Sequence, residues 1–388
     1  MKKFLLYSTL VGVFGEAAII NFGVDLKLLY LVVLINFFII GYTRSIFFHR
    51  FQLYVFLFLV FSGAISILNG TNDFSHAAEQ VIGINVLGLY FYNFFLYFNG
   101  QVKYVFQTYA RFVFYLAIIG LIIFIYKIVI VHDFEFRLFS VLLEPAHYAG
   151  AILPGFYYYI KDYNRYKKEV FVVTISLLLA GSSIGYLGIL IAFFIYNKKV
   201  FQIKNVIIYS AAILIGLCLY FTMDSVRMRV DDTFKSSSNF DVSGANWSTY
   251  ALISNLYITY NVLENNIILG NGIGSHQISH KKYISTLVGG DEFSLIPDLN
   301  SKDANSLMLR ILSDMGLLGG FIVISLIVKY YTNANQYYVI SRAILIYFFY
   351  KLLREGHYFS PEMYFFVLMF YFNFKESKTE EALGERII

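Results

Sequence analysis

Apolar stretches of roughly 15–25 residues recur along this chain from Phe4 to Phe374, and short connectors between them hold most of the charge. Each stretch is long enough to cross a hydrocarbon core about 30 Å thick. The pattern predicts about twelve helices, over 4–22, 26–43, 51–69, 77–98, 111–131, 146–160, 169–181, 184–197, 205–222, 306–328, 339–353 and 361–374. One stretch breaks the rhythm. From Thr222 to Asn305 the chain is predominantly polar. The expected organisation is therefore nine membrane helices in 1–222, a large loop over 223–305, and three helices with a tail in 306–388. For 169–197 two readings stay open: two short helices joined at Gly181-Ser182-Ser183, or one long tilted helix that would invert everything after it.

Composition sharpens the class. Hydrophobic residues make up 58% of the 388 and charged residues 14%, where a soluble domain carries about a quarter charged. The net charge of +5 sits in connectors, without the clustered basic face of a nucleic-acid binder, so no nucleic-acid partner is expected. Lone Cys218 excludes an internal disulfide and a cysteine metal site. The apolar start after Lys2 and Lys3 reads as a retained first helix, since no small-residue cleavage site precedes the next span.

The basic connectors fall on one side when the N-terminus is inside: Arg44 and Arg50, Lys103, Lys161 to Lys168, Lys198 to Lys204, Lys329, and Lys375 with Lys378. The 223–305 loop, the 132–145 connector and the turn at Arg354–Ser360 then face outward. The expected fold is an all-α polytopic membrane protein.

Ionisable groups at membrane depth are costly and mark candidate sites. Glu144 and His147 flank Pro145, which suits the first turn of a helix, and Arg137 lies just upstream. Arg227 and Arg229 follow the 205–222 helix, near Asp224, Asp231 and Asp232; arginine forks match phosphate oxygens. Lys351, Arg354, Glu355, His357 and Tyr358 lie between the last two helices, where snorkelling at a helix end competes with a functional role. Arg310 and Asp314, four apart, read as an internal ion pair. Gly270-Asn271-Gly272-Ile273-Gly274 lacks the spacing of a phosphate loop and reads as a turn. His276 and His280 lack a placed third ligand, so no metal is expected. Ser236–Ser248 reads as a flexible surface segment.

Several of these segments resemble the Wzy-type polymerases of O-antigen and capsular repeat units. Glu144-Pro145-Ala146-His147-Tyr148-Ala149 is similar to their "EPSHFA" segment, with Ala146 in place of the usual serine. Leu178–Tyr186 resembles the serine-containing hairpin that follows it. Asn266–Gly274 is similar to the glycine element closing their outer loop. Asn305-Ser306, followed after nine residues by Gly316-Leu317-Leu318-Gly319, matches the "H-N-x9-G-x-x-G" spacing shared by polymerases and O-antigen ligases. Asn305 stands where ligases carry histidine, which favours a polymerase. The likeness spans about residues 130–360.

The resemblance implies a GT-C-like membrane glycosyltransferase in a bacterial plasma membrane, inverting, with no cofactor or metal, acting on the outer face. The donor would be a glycan on undecaprenyl diphosphate and the acceptor a hydroxyl of the next lipid-linked unit. Membrane lipid and a chain-length regulator are the further partners implied. Arg137, Arg227, Arg229 and Arg354 would hold the diphosphate, with His357, Tyr358 and Asn305 beside it, and Glu144 or His147 would take the acceptor's proton. The rivals are an O-antigen ligase and a repeat-unit flippase.

Overall fold

The computed structural model describes residues 1–15, 17–21, 25–196, 210, 214, 217–218, 220–222, 224–334 and 336–385. The helix expected over 205–222 thus lies largely outside the described residues. In chain order the helices are α1 Lys2–Phe14, α2 Leu28–Thr43, α3 Arg50–Leu68, α4 Phe74–Tyr97, α5 Val102–Val129, α6 Pro145–Lys161, α7 Lys167–Leu179, α8 Ser183–Tyr196, α9 Asp224–Asn239, α10 Trp247–Asn265, α11 His276–Tyr283, α12 Leu307–Tyr330, α13 Tyr337–Leu353 and α14 Pro361–Glu385. Besides these, the described residues form two 3₁₀ turns and one short antiparallel ladder, Ile19–Asn21 with Asp25–Lys27.

Among the described residues four helices are long and apolar enough to cross a membrane: α3, α4, α5 and α12; α2 and α8 are apolar but shorter. This defines a helical protein compatible with a membrane location. Long α5, 28 residues, rises about 42 Å.

Most helices fall where the hydrophobic pattern places them, and three differ at an end. The first helix stops at Phe14, because Gly15 caps it by donating its N–H to the Val11 carbonyl and the ladder follows. Helix α5 begins at Val102 and carries Lys103 and Arg111 along its length. Helix α14 continues to Glu385, so the expected tail after 374 is helical. The 169–197 stretch is two helices, with Gly181 in the left-handed region at their junction.

The polar region 223–305 is itself folded. Helices α9, α10 and α11 occupy much of it, and Val242, Tyr250, Ile253, Leu287 and Phe293 bury a small core of their own. Tyr250 stacks on Phe293 with ring centroids 4.0 Å apart. The Ser236–Ser248 segment begins inside α9, with Ser236 buried, rather than being flexible throughout.

The main core is aromatic. Phe91, Phe94 and Phe95 of α4 pack with Tyr109 of α5 and with Phe365 and Phe366 of α14, and α6 inserts among α5, α7, α8 and α13. Edge-to-face pairs such as Tyr109 with Phe366 (5.2 Å, 90°) fill it, an arrangement favoured by the ring quadrupoles.

Helix α12 is broken, and the glycine segment repairs it. Gly316 has φ 61° and ψ −162°, a conformation essentially restricted to glycine. A Cβ there would overlap the Ile268 backbone. The N–H groups of Leu317 and Leu318 donate instead to the carbonyls of Ile267 and Ile268 (2.9 and 3.1 Å), while Asn271 and Gly272 donate to the carbonyls of Ser313 and Asp314 (3.0 and 2.8 Å). The same segment is tied to the end of α3, where Ile273 N–H donates to Ser62 Oγ (2.9 Å) and Thr71 Oγ1 to the Asn271 carbonyl (2.7 Å).

Candidate functional site

A polar cavity of about 300 Å³ opens where three distant segments meet. Glu144, Ala146 and His147 come from the start of α6, Asp298 to Asp303 from the approach to α12, and Arg354, Glu355 and His357 from the chain after α13; Gln277 of α11 completes the wall.

Each segment is positioned by its own sequence. Pro145 starts α6 with Glu144 extended before it at φ −141°, so Glu144 and His147 share the exposed first turn. On the second segment Ala304 and Asn305 are both left-handed, at φ 56° and 59°. That costly pair turns the chain from the polar region into α12. Ser306 then caps the helix, accepting from Leu309 N–H (3.3 Å) and donating to the Leu352 carbonyl (2.6 Å). On the third, a Cβ on Gly356 would overlap the Asp303 carbonyl oxygen; only glycine lets the two loops meet this closely.

The charged groups are held firmly. Arg354 donates to Asn305 Oδ1. Asp303 Oδ1 accepts from the Asn305 N–H (3.2 Å) and Asn300 Nδ2 (3.3 Å), and its Oδ2 lies 3.8 Å from His357 Nε2. Glu355 pairs with buried Lys351 and also accepts the His357 N–H (3.1 Å). Burial lowers the His357 pKa to about 4; Asp303 opposes this, while Arg310, Lys27 and Lys351 reinforce it.

Of the residues singled out by sequence, the structure brings together Glu144, His147, Arg354, Glu355, His357 and, through its bond to Arg354, Asn305. It does not bring the others. Arg227 lies on exposed α9 and pairs with Asp224 at 2.8 Å, an i,i+3 contact between neighbours on one helix face. The Arg229 side chain lies outside the described residues. Arg137 donates to the carbonyls of Ala180 and Gly181, bracing the turn between α7 and α8 rather than lining the cavity. Tyr358 is buried, its ring 4.1 Å from the Arg310 guanidinium carbon and its hydroxyl donating to Asp314 Oδ2 (3.1 Å). Glu144 is exposed on the cavity wall.

Sequence reasoning missed Asp298, Lys302 and Asp303. The run Asp298-Leu299-Asn300-Ser301-Lys302-Asp303 is dense in polar side chains immediately before Asn305, and that density was the available signal.

The glycine segment does cradle an anion, though an internal one. The N–H groups of Gly274 and His276 donate to Asp314 (3.0 Å each), with Ser275 Oγ at 3.3 Å and Arg310 Nε at 3.7 Å. This is the Arg310–Asp314 pair anticipated by spacing. Near it His276 Nε2 meets Asn255 Oδ1 at 2.9 Å, and His280 Nδ1 lies 3.7 Å from Asp298 Oδ1. Burial drives His276 well below its usual range and His280 to about 4, against the pull of Asp298. No group of three metal-ligating side chains converges among the described residues.

A second cavity, of about 380 Å³, lies among α3, α4, α12, α13 and α14; its walls are almost wholly apolar side chains such as Phe58, Leu59, Ile311, Ile322, Val323 and Leu326. Lys351 stands on its wall, and Glu355 on that of the polar cavity. The Lys351–Glu355 pair thus links the two spaces.

The fold and site together define a helical protein with apolar helices of membrane-spanning length and a polar cavity beside an apolar one. No protein-family model matches the chain, and no curated protein matches it.

Proposed function

We propose that this chain is a polymerase of lipid-linked oligosaccharide repeat units, spanning a bacterial plasma membrane about twelve times with the 223–305 region outside. The donor glycan leaves undecaprenyl diphosphate and is joined to a hydroxyl of the next lipid-linked unit. The observation that carries the reading is the convergence of Glu144, His147, Arg354 and His357 in one polar cavity. Glu144 and His147 belong to the segment that resembles the polymerases' "EPSHFA", and Arg354 is hydrogen-bonded to Asn305 of the "H-N-x9-G-x-x-G" segment.

The chemistry fits the walls. Carboxylates and amides suit sugar hydroxyls, which donate hydrogen bonds to them. Arg354, fixed by Asn305, and Lys302 supply cations for the departing diphosphate. The adjoining apolar cavity suits an isoprenoid chain. With Arg227 and Arg137 engaged elsewhere, Arg354 carries more of the anion's charge than the sequence suggested.

The test is a gel of surface glycan from cells lacking the chain, compared with their parent. Loss of the ladder with survival of a single repeat on its carrier supports the polymerase. Loss of every repeat, including the single one, points to ligation or flipping. The broken helix α12 gives the flippase its one favourable observation, since transporters build their sites around interrupted helices.

A further inference from the structure

The polar cavity holds a carboxylate–imidazole pair that the motifs do not mark. Asp303 Oδ2 approaches His357 Nε2 at 3.8 Å, and both line the cavity together with Glu144 and His147. Asp303 is anchored by the Asn305 N–H and the Asn300 amide on its other oxygen. His357 is anchored at its main chain by Glu355, whose second partner is Lys351. Gly356 between them allows the two loops to touch. Two independently fixed loops therefore present the pair to the same space.

Resting on the polymerase reading, the geometry points to His357, oriented by Asp303, as the group that takes the proton from the acceptor hydroxyl. Glu144 and His147, in the same cavity, then serve to position the acceptor. In the tautomer with the proton on Nε2, which lies 3.8 Å from Asp303 Oδ2, Nδ1 is the nitrogen that accepts. The hydroxyl oxygen attacks the donor's anomeric carbon. The bond from that carbon to the diphosphate oxygen breaks, its electron pair leaves with the diphosphate, and the hydroxyl proton passes to Nδ1. The imidazolium returns the proton to water, and the Asp303 carboxylate stabilises it meanwhile. A weakly basic imidazole is adequate here, as carboxylates of similar basicity activate the attacking water in glycosidases. The charged groups around the ring are Asp303 before α12, Arg310 of α12, Lys351 of α13, Lys27 of the N-terminal ladder, and Arg354 and Glu355 on its own segment.

The experiment reconstitutes the full chain in liposomes and supplies repeat-unit lipid extracted from cells deleted for it. Wild type that builds no polymer removes the underlying reading. Given wild-type activity, His357→Gln is expected to lower kcat by roughly 10²–10⁴-fold with KM changed less than about threefold, and added imidazole should restore His357→Ala in part. Asp303→Asn should shift the acid limb of the rate–pH profile to lower pH, because Asp303 holds the His357 pKa up. Full turnover by His357→Gln while Glu144→Gln is inactive overturns the assignment and leaves the polymerase reading intact. If His357→Gln does not accumulate, the Asp303→Asn profile decides: an unmoved limb overturns the assignment, a lowered one supports it.

Discussion

At the scale of single residues the site depends on a few buried or strained groups. Asp314 receives two N–H donors, two hydroxyls and Arg310. Asp314→Ala leaves Arg310 buried without its partner, and such a change costs about 3–5 kcal/mol. Thermal unfolding in detergent should show it as a large drop in midpoint, with Arg310→Met combined with Asp314→Leu recovering part of the loss. Arg354 is a fork held by Asn305; replacing it by lysine keeps the charge but not the paired donors. If the chain is the proposed polymerase, polymer output, read as the amount of ladder on a gel, should fall by more than tenfold in Arg354→Lys, with the chain still folded. Some of this was legible in advance. Glu144-Pro145 announced a helix start, and the spacing of Arg310 and Asp314 announced their pairing. Asp303 was not legible, because its place depends on Ala304 and Asn305 turning left-handed and nothing local marks alanine for that. For Arg227 the sequence left a phosphate contact and neutralisation by neighbouring aspartates both open, and the helix places Asp224 one turn away to pair with it.

Among elements, the broken α12 and the glycine segment form one unit. Gly316→Ala requires a conformation closed to alanine and drives a methyl into Ile268, so a cost of at least 1–3 kcal/mol is expected. Gly320→Ala, whose new Cβ would meet only the Leu312 Cδ2 at 3.3 Å, should be far milder; comparing the two unfolding midpoints separates backbone strain from lost space. The matching glycines were visible in the sequence as two separate motifs. That one closes the hydrogen bonds the other leaves open was not visible, since it is a contact between segments some 45 residues apart. Helix ends were hardest where helix-forming charged residues continue an apolar run, as at Lys103 in α5 and at Lys375 to Glu385 in α14.

For the whole molecule, buried histidines couple stability to pH. His280 is neutral in the fold, its pKa lowered from 6.5 to about 4 by burial. An unfolded chain binds that proton near pH 6.5, so stability is complete above that value and is lost as pH falls from 6.5 towards 4. The displacement is worth roughly 3 kcal/mol, and His276 adds in the same direction. Unfolding midpoints measured between pH 7.5 and 4.5 should fall steadily, and His280→Gln should flatten the slope. The hydrophobic pattern disclosed the general plan of apolar helices around a polar region. It did not disclose that this region has a core of its own, because Val242, Tyr250 and Phe293 are spread too thinly along the chain to register as a period.

The segment that mends α12 also fixes where this chain can change its length. Gly244 sits on an exposed turn with no atom near enough to meet a side chain; residues added there would extend into open space. One residue added between Gly270 and Gly274 would shift every bond that joins α3, α12 and the Asp314 cradle. Descendants of this sequence that lengthen the polar region are therefore expected to grow at the Gly244 turn and to keep the five positions from Gly270 to Gly274 uninterrupted.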